Sequence, residues 1–188
     1  MSENYLQGLK TFIKMWDENQ FNVEIDLDML RLSDKGNVNF AGNSVCYESP
    51  TLTKSHPLFG KAIEVGVRKL ALSLVRKLNC ITYSSCQGHF SSKESPIMRQ
   101  RYIGIIPRNE QECQYFLKYL RDLANTVNNK VKTTLVRVAI DTRMLDSDEG
   151  SMSCINLCFV PLISEDEELY FRDVEIVYNQ VLEHLNVS

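Results

Sequence analysis

The stretch PLFGKAIEVGVRKLALSLVRKLNCITYSS, residues 57–85, decides the fold class of this chain of 188 residues. Its apolar residues recur every three or four positions, which is typical of the buried face of an amphipathic helix. Pro57 suits the first turn of such a helix and Asn79 suits its end, so the spacing predicts one helix over residues 57–78. Residues 80–85 then predict a short strand. The apolar stripe of the helix consists of Phe59, Ile63, Val67, Leu70, Leu74 and Leu78.

The rest of the chain alternates pairs of strands with single helices. Strands are predicted at residues 102–106, near 133–140 and near 152–161. Asn109 with Glu112 is a capping signal for a helix between the first two of these strands, and Ser164 with Glu167 is a capping box that opens the last helix. The order from residue 57 is therefore helix, strand, strand, helix, strand, strand, helix. It predicts an α+β fold in which helices pack on a mixed or largely antiparallel sheet.

The N-terminal part of the chain has signals for a helix, a strand and a hairpin. An amphipathic helix of about four turns is predicted to be capped by Ser2 and to include Trp16. Residues 21–28 alternate between apolar and polar, which indicates a half-buried strand, and residues 32–47 indicate a hairpin. We expect residues 1–188 to form one domain, within which residues 1–50 could form an N-terminal subdomain.

The composition is that of a soluble globular protein without a strong electrostatic preference. Hydrophobic residues make up 44% and charged residues 24%, which argues against disorder. No apolar stretch is long enough to span a membrane and the first residues do not resemble a secretion signal, so we expect a cytoplasmic protein that binds no membrane. The net charge of −3 and the pI of about 5.7 do not support nucleic-acid binding through an overall positive field. The six cysteines are expected to be reduced.

The segment from Tyr83 to Phe90 is the strongest candidate for a functional site, because it lies at the end of a predicted strand. Cys86 and His89 lie three residues apart around Gly88, so the imidazole could take the thiol proton and leave a thiolate. We therefore predict that Cys86 and His89 are catalytic. The alternative is that Cys86 is a small half-buried residue and His89 an ordinary turn residue. The residues predicted to bind the ligand beside them are Ser84, Ser85, Gln87 and Gly88.

A thiolate and an imidazole are also ligands for a transition metal such as zinc. Cys86 and His89 supply only two ligands, whereas a zinc site needs three or four. Cys46 and His56 could complete the site, because they flank the polar stretch that precedes the predicted helix. The sequence leaves the metal content open.

The connection after the Cys86 loop is locally basic. Arg99 and Arg101 lie at the start of the next predicted strand, with Lys93 nearby, and they could bind a phosphate-bearing ligand. The alternative for these side chains is a solvated basic face.

Two segments resemble the wybutosine-synthesising tRNA methyltransferase family. Residues 84–89, Ser-Ser-Cys-Gln-Gly-His, resemble the Ser-Ser-Cys-Ser-Gly-Arg segment of that family, and residues 32–39 are similar to its Leu-Ser-x-Lys-Gly-Ser-x-Asp stretch. His89 stands where the family has arginine, and Asn39 where it has the acid. The resemblance implies S-adenosylmethionine as the methyl donor, a modified guanosine in tRNA as the substrate, and Ser85 and Cys86 in the lining of the pocket.

The sequence supports three functional hypotheses. The leading one is a small α+β protein with a ligand-binding or catalytic pocket at residues 86–89, which acts on a small-molecule or phosphate-bearing ligand through the thiol. The second is a noncatalytic subunit that binds a protein partner, and the third is an RNA-modifying enzyme that uses S-adenosylmethionine. The common phosphate-loop, dinucleotide, zinc-protease and serine-hydrolase motifs do not occur in the chain. Whether the protein is an enzyme is left open at this point.

Overall fold

The computed structural model describes residues 5–21, 31–32, 38–39, 51–93, 97–163 and 166–187. The helices are α1 (Leu9–Asp17), α2 (Phe59–Ala62), α3 (Val65–Leu78), α4 (Glu110–Lys130) and α5 (Glu167–Val187). The strands are β1 (Arg31–Leu32), β2 (Val38–Asn39), β3 (Ile81–Cys86), β4 (Tyr102–Ile106), β5 (Val136–Leu145) and β6 (Met152–Pro161).

The main sheet has four strands in the order β3-β4-β6-β5, and every neighbouring pair is antiparallel. Helices α3, α4 and α5 pack on this sheet, and α5 also contacts α3 and α4. The prediction of an α+β fold with a largely antiparallel sheet is confirmed. Apolar side chains from the sheet and the helices form the core, which includes Leu70, Leu74, Ile103, Ile105, Leu120, Leu157, Phe159 and Val181.

The predicted single helix over residues 57–78 is wrong, because the helix is interrupted. α2 ends at Ala62, and Ile63 is extended, with φ −80° and ψ 127°, before α3 begins. The start of α3 is held from outside the helix, since Gln87 Oε1 accepts a hydrogen bond of 2.9 Å from Gly66 N. All residues of the predicted apolar stripe are nevertheless buried, so the pattern identified the core face but not the break.

α1 begins later than predicted and has a different cap. Gly8, with φ +65°, precedes the helix, whereas Ser2 lies outside the described residues. The cap comes from the turn between β5 and β6. Asp148 Oδ1 accepts from Gly8 N at 2.7 Å, and Glu149 Oε2 accepts from Lys10 N at 2.6 Å. These carboxylates satisfy amides that the first turn of a helix leaves without partners.

The other elements test the remaining sequence predictions. The predicted strands at residues 102–106 and 152–161 match β4 and β6, while β5 begins and ends later than predicted. Asn109 Oδ1 accepts from Glu112 N at 2.9 Å, so that cap is confirmed. The predicted hairpin joins strands at residues 38–40 and 45–47, and the second of these strands lies outside the described residues. β2 pairs with β1 in antiparallel register. All but the first residue of the strand predicted at 21–28, most of residues 1–50, and Ser164 lie outside the described residues.

Two further sequence predictions concern the reduced state of the cysteines and the absence of a membrane span. The described cysteines are free thiols, and they are Cys80, Cys86, Cys113, Cys154 and Cys158. Within the described ranges, every helix is too short or too polar to cross a lipid bilayer.

Candidate functional site

Cys86 is the last residue of β3 and lies opposite Tyr102 of β4. A register shift between Thr82 and Ser84 precedes it, and such bulges commonly re-aim side chains next to functional sites. Cys86 is 5% exposed, so its sulfur lies just below the surface.

The turn after β3 is held in one conformation by backbone hydrogen bonds and by Gly88. His89 N donates to Arg99 O at 3.0 Å, and Arg99 N donates to His89 O at 2.9 Å. Gly88 has φ +89°, which favours glycine. A Cβ at this position would lie 3.1 Å from Phe171 Cε1 and 3.3 Å from Arg99 O. The turn therefore needs glycine for its conformation and for space, and it brings His89 back toward the end of β3.

Glu64 is the third member of the site, and the break between α2 and α3 places it there. It is the residue immediately before α3, and its side chain is 9% exposed. Its Oε1 lies 3.0 Å from His89 Nε2, and its Oε2 accepts a hydrogen bond of 2.7 Å from Gln87 N. One ligand-type atom from each of Glu64, Cys86 and His89 lies within 4.8 Å of the other two.

The His89 imidazole is basic in this environment. Hydrogen bonds to Cys86 and Glu64 raise the pKa of His89 to about 9, although burial opposes the change. The metal-free site therefore holds a protonated imidazole at neutral pH. The sulfur has a further partner, because Gly88 N donates to Cys86 Sγ at 3.4 Å.

In the metal-free protein, we expect stability to fall as the pH rises from about 6.5 to about 9. Folding raises the pKa of His89, so the proton on its imidazole stabilises the folded state. This stabilisation is complete below the unfolded-state pKa of about 6.5 and is lost as the pH rises past about 9. The stabilisation is about 3 kcal/mol at most. It is measured by urea unfolding of wild type and His89→Gln, in EDTA, at both ends of this range. An NMR titration that places the His89 imidazole near its ordinary pKa would contradict the expectation.

Two of the polar residues predicted around Cys86, Ser84 and Gln87, have structural partners. Ser84 Oγ lies 2.8 Å from Tyr102 Oη, and Ser85 is half-buried on β3. Gln87 is an organising residue, because its main-chain N–H binds Glu64 and its side-chain oxygen accepts from Gly66 N. Its contacts join the loop after β3 to the start of α3.

Arg101, which the sequence predicts to bind a phosphate-bearing ligand or to lie on a solvated basic face, is buried. Its side chain is 4% exposed, and its Nη2 forms an ion pair with Glu175. Its Nε donates to Gln87 O at 2.8 Å, and its guanidinium carbon lies 4.9 Å from the centre of the Tyr178 ring. The positive charge is therefore paired and buried. The main chain of Arg99 forms the antiparallel β-bridge with His89 described above.

His56 is not a member of the Glu64, Cys86 and His89 cluster, so its predicted role as a metal ligand beside them is wrong. His56 Nδ1 accepts a hydrogen bond of 3.1 Å from Leu58 N, and its ring packs edge-on against Phe21, with 5.7 Å between ring centres. Burial lowers the pKa of His56, which is consistent with a neutral packing residue. Cys46, the other predicted ligand, lies outside the described residues.

Sequence reasoning did not identify Glu64. In a continuous helix it would be one of several charged residues beside the apolar stripe, and nothing would single it out. The available signal is the pair Gly60 and Gly66, since glycine weakens the interior of a helix. Those glycines indicate a break between them, which is where Glu64 lies.

A cavity of about 380 Å³ lies apart from these residues. It is formed by the β6–α5 connection and its neighbours, and none of Glu64, Cys86 or His89 lines it. Its lining residues are Leu135, Pro161, Ile163, Asp166, Leu169 and Tyr170.

The chain was compared with protein-family models, with curated proteins and with solved structures. None of the three comparisons found a match. The resemblance to the wybutosine-synthesising family stays a prediction from two short segments. The function is therefore inferred from the geometry of Glu64, Cys86 and His89.

Proposed function

We propose that this protein binds a divalent transition-metal ion through Glu64, Cys86 and His89, and that zinc fits the site best. The observation that carries the proposal is the convergence of a carboxylate oxygen, a sulfur and an imidazole nitrogen within 4.8 Å of one another. These are the three side-chain ligand types that zinc takes in proteins. In a tetrahedral zinc site such atoms lie about 3.3 to 3.8 Å apart, so a change of about 1.5 Å at most in the separations between them gives the geometry.

The same residue types could instead form a catalytic relay in which an imidazole activates a thiol nucleophile. In that arrangement the thiol and the carboxylate bind opposite nitrogens of the ring, which separates sulfur from oxygen by about 7 to 8 Å. The Cys86 sulfur and a Glu64 carboxylate oxygen lie within 4.8 Å of each other, which is too close for the relay. The burial of Cys86 also suits a metal ligand better than a nucleophile that must meet a substrate.

Three protein ligands are the donor set of catalytic zinc sites, which hold water or substrate at the fourth position. In the part of the chain that the structure describes, no fourth His, Cys, Asp or Glu joins the group. A zinc ion bound here supplies a Lewis acid. The chain itself orients the ligands, since Gln87 N–H holds the carboxylate of Glu64 and Gly88 N–H holds the sulfur of Cys86.

Removing any one ligand should lower the affinity for zinc by more than about 100-fold, because even residues that only support a ligand contribute 10- to 100-fold. The variants are Glu64→Gln, Cys86→Ser and His89→Ala, and calorimetry measures the affinity and the expected stoichiometry of one ion per chain. Cys158→Ser and His184→Ala are matched controls, since neither residue belongs to the cluster, and both should bind zinc like the wild type. Equal affinity in wild type and Cys86→Ser would refute the proposal.

A further inference from the structure

The peptide between Gln87 and Gly88 connects a buried cation to the sulfur of Cys86. Arg101 Nε donates a hydrogen bond of 2.8 Å to the carbonyl oxygen of Gln87. The N–H of that same peptide belongs to Gly88, and it donates to Cys86 Sγ at 3.4 Å. The guanidinium and the sulfur therefore bind opposite ends of one peptide unit.

The guanidinium of Arg101 is fixed in place and shielded from water. The side chain is 4% exposed and lies over the ring of Tyr178. Its main-chain N donates to Tyr170 Oη at 2.7 Å, which ties the same residue to α5. Its ion-pair partner, Glu175, is 56% exposed, so the carboxylate is solvated while the cation is not. A charge in such a place polarises its hydrogen-bond partners more strongly than a surface charge does.

We propose that Arg101 tunes the electron density on the Cys86 sulfur through the Gln87–Gly88 peptide. The guanidinium draws electrons toward the carbonyl oxygen of Gln87, which makes the Gly88 N–H a stronger donor. A stronger N–H···S hydrogen bond lowers the energy of the sulfur lone pairs, and these lone pairs are what the sulfur donates to a bound metal. Arg101 is thus a positioning residue of the metal site, and this inference rests on the proposed metal function.

The test uses the cobalt(II) form of the protein, in which the thiolate-to-cobalt charge-transfer band reports the energy of the sulfur lone pairs directly. Arg101→Met removes the cation, so the band should shift to longer wavelength. Glu175→Gln removes the carboxylate that offsets the cation, so the band should shift to shorter wavelength. Because Glu175 is exposed, this second variant keeps the test valid if Arg101→Met does not fold.

Arg137→Met is the matched control. Arg137 also donates to main-chain carbonyls, those of Thr134 and Val136, but it lies on β5 and does not contact the loop after β3. The charge-transfer band of Arg137→Met should coincide with that of the wild type. Bands at the wild-type wavelength in both Arg101→Met and Glu175→Gln would overturn the inference, as would shifts in the same direction in the two variants.

Failure of this inference can be distinguished from failure of the proposed function. If the wild-type protein gives no charge-transfer band with cobalt, the metal proposal fails. The polarisation of the sulfur is then measured in the metal-free protein as the rate of Cys86 alkylation by iodoacetamide at fixed pH, followed by mass spectrometry. The rate is compared at a pH high enough that it no longer rises with pH, so that it reports the nucleophilicity of the thiolate. Loss of the cation raises the energy of the sulfur lone pairs, so alkylation should be faster in Arg101→Met than in Arg137→Met, and equal rates would overturn the inference.

Discussion

Zinc at a free concentration about a thousand times its dissociation constant is expected to raise the free energy of unfolding by about 4 kcal/mol. The ligands come from the residue before α3, from the last residue of β3 and from the loop that follows it, so the complete site exists only in the folded chain. For a chain of this length the gain corresponds to a rise of roughly 8 to 16 °C in the midpoint of thermal unfolding. Thermal unfolding of EDTA-treated protein, followed by circular dichroism at increasing zinc concentration, measures it.

The control for this effect is a comparison of two cysteine variants. Cys86→Ser should unfold at nearly the same temperature with and without zinc, because a hydroxyl is a poor substitute for a thiolate ligand. Cys158→Ser should keep the full zinc-dependent rise, since Cys158 is not part of the cluster. The proposed site is excluded if zinc stabilises both variants equally, or if zinc stabilises neither of them nor the wild type.

Gly66→Ala is expected to separate the start of α3 from the loop after β3. A Cβ at position 66 would lie 2.8 Å from Gln87 Cβ and 2.9 Å from Gln87 Oε1, so one of the two segments must move. That movement breaks the hydrogen bond from Gly66 N and displaces Glu64, two residues earlier in the chain. Overpacking of this kind costs about 1 to 3 kcal/mol of stability. The affinity for zinc should fall by about 10- to 100-fold, as it does when other supporting contacts are lost.

Gly60→Ala is the matched control. It makes the same glycine-to-alanine substitution as Gly66→Ala, but at a position with different surroundings. Gly60 lies within α2, and a Cβ there meets nothing within 4 Å. Alanine in a helix is favoured over glycine by about 0.5 to 1 kcal/mol, so this variant should be slightly more stable and should bind zinc normally. Urea unfolding and calorimetry on both variants provide the comparison. Gly66→Ala with unchanged stability and affinity would show that the contact with Gln87 does not position Glu64.

The order of helices and strands could be predicted because local patterns carry it. The alternation of apolar residues places β4 and β6, and Asn109 marks the start of α4. Element boundaries that depend on distant residues could not be predicted. α1 starts at Leu9 because carboxylates from the turn between β5 and β6, about 140 residues away along the chain, cap it.

The candidate site was predicted in part. The strand end, the tight turn and the pairing of Cys86 with His89 are local, so sequence spacing was enough to indicate them. Glu64 could not be found in that way, because its carboxylate meets His89 only when α3 packs beside β3. Arg101 shows the opposite error. Its charge predicted a phosphate-binding residue or part of a solvated basic face, but burial and the ion pair with Glu175 direct the guanidinium to the Gln87 carbonyl.

By itself, the amino-acid sequence determined the α+β class, the buried faces of the helices and the presence of a thiol and an imidazole on one short turn. Hydrophobic periodicity and turn chemistry act over a few residues, which is why these features are visible without coordinates. Only the tertiary structure decided that a carboxylate joins the group and that a buried guanidinium binds the Gln87 carbonyl beside it. Glu64 is 25 residues from its partner His89, and Arg101 is 74 residues from its partner Glu175. Only packing of α3 and α5 on the sheet brings these pairs together.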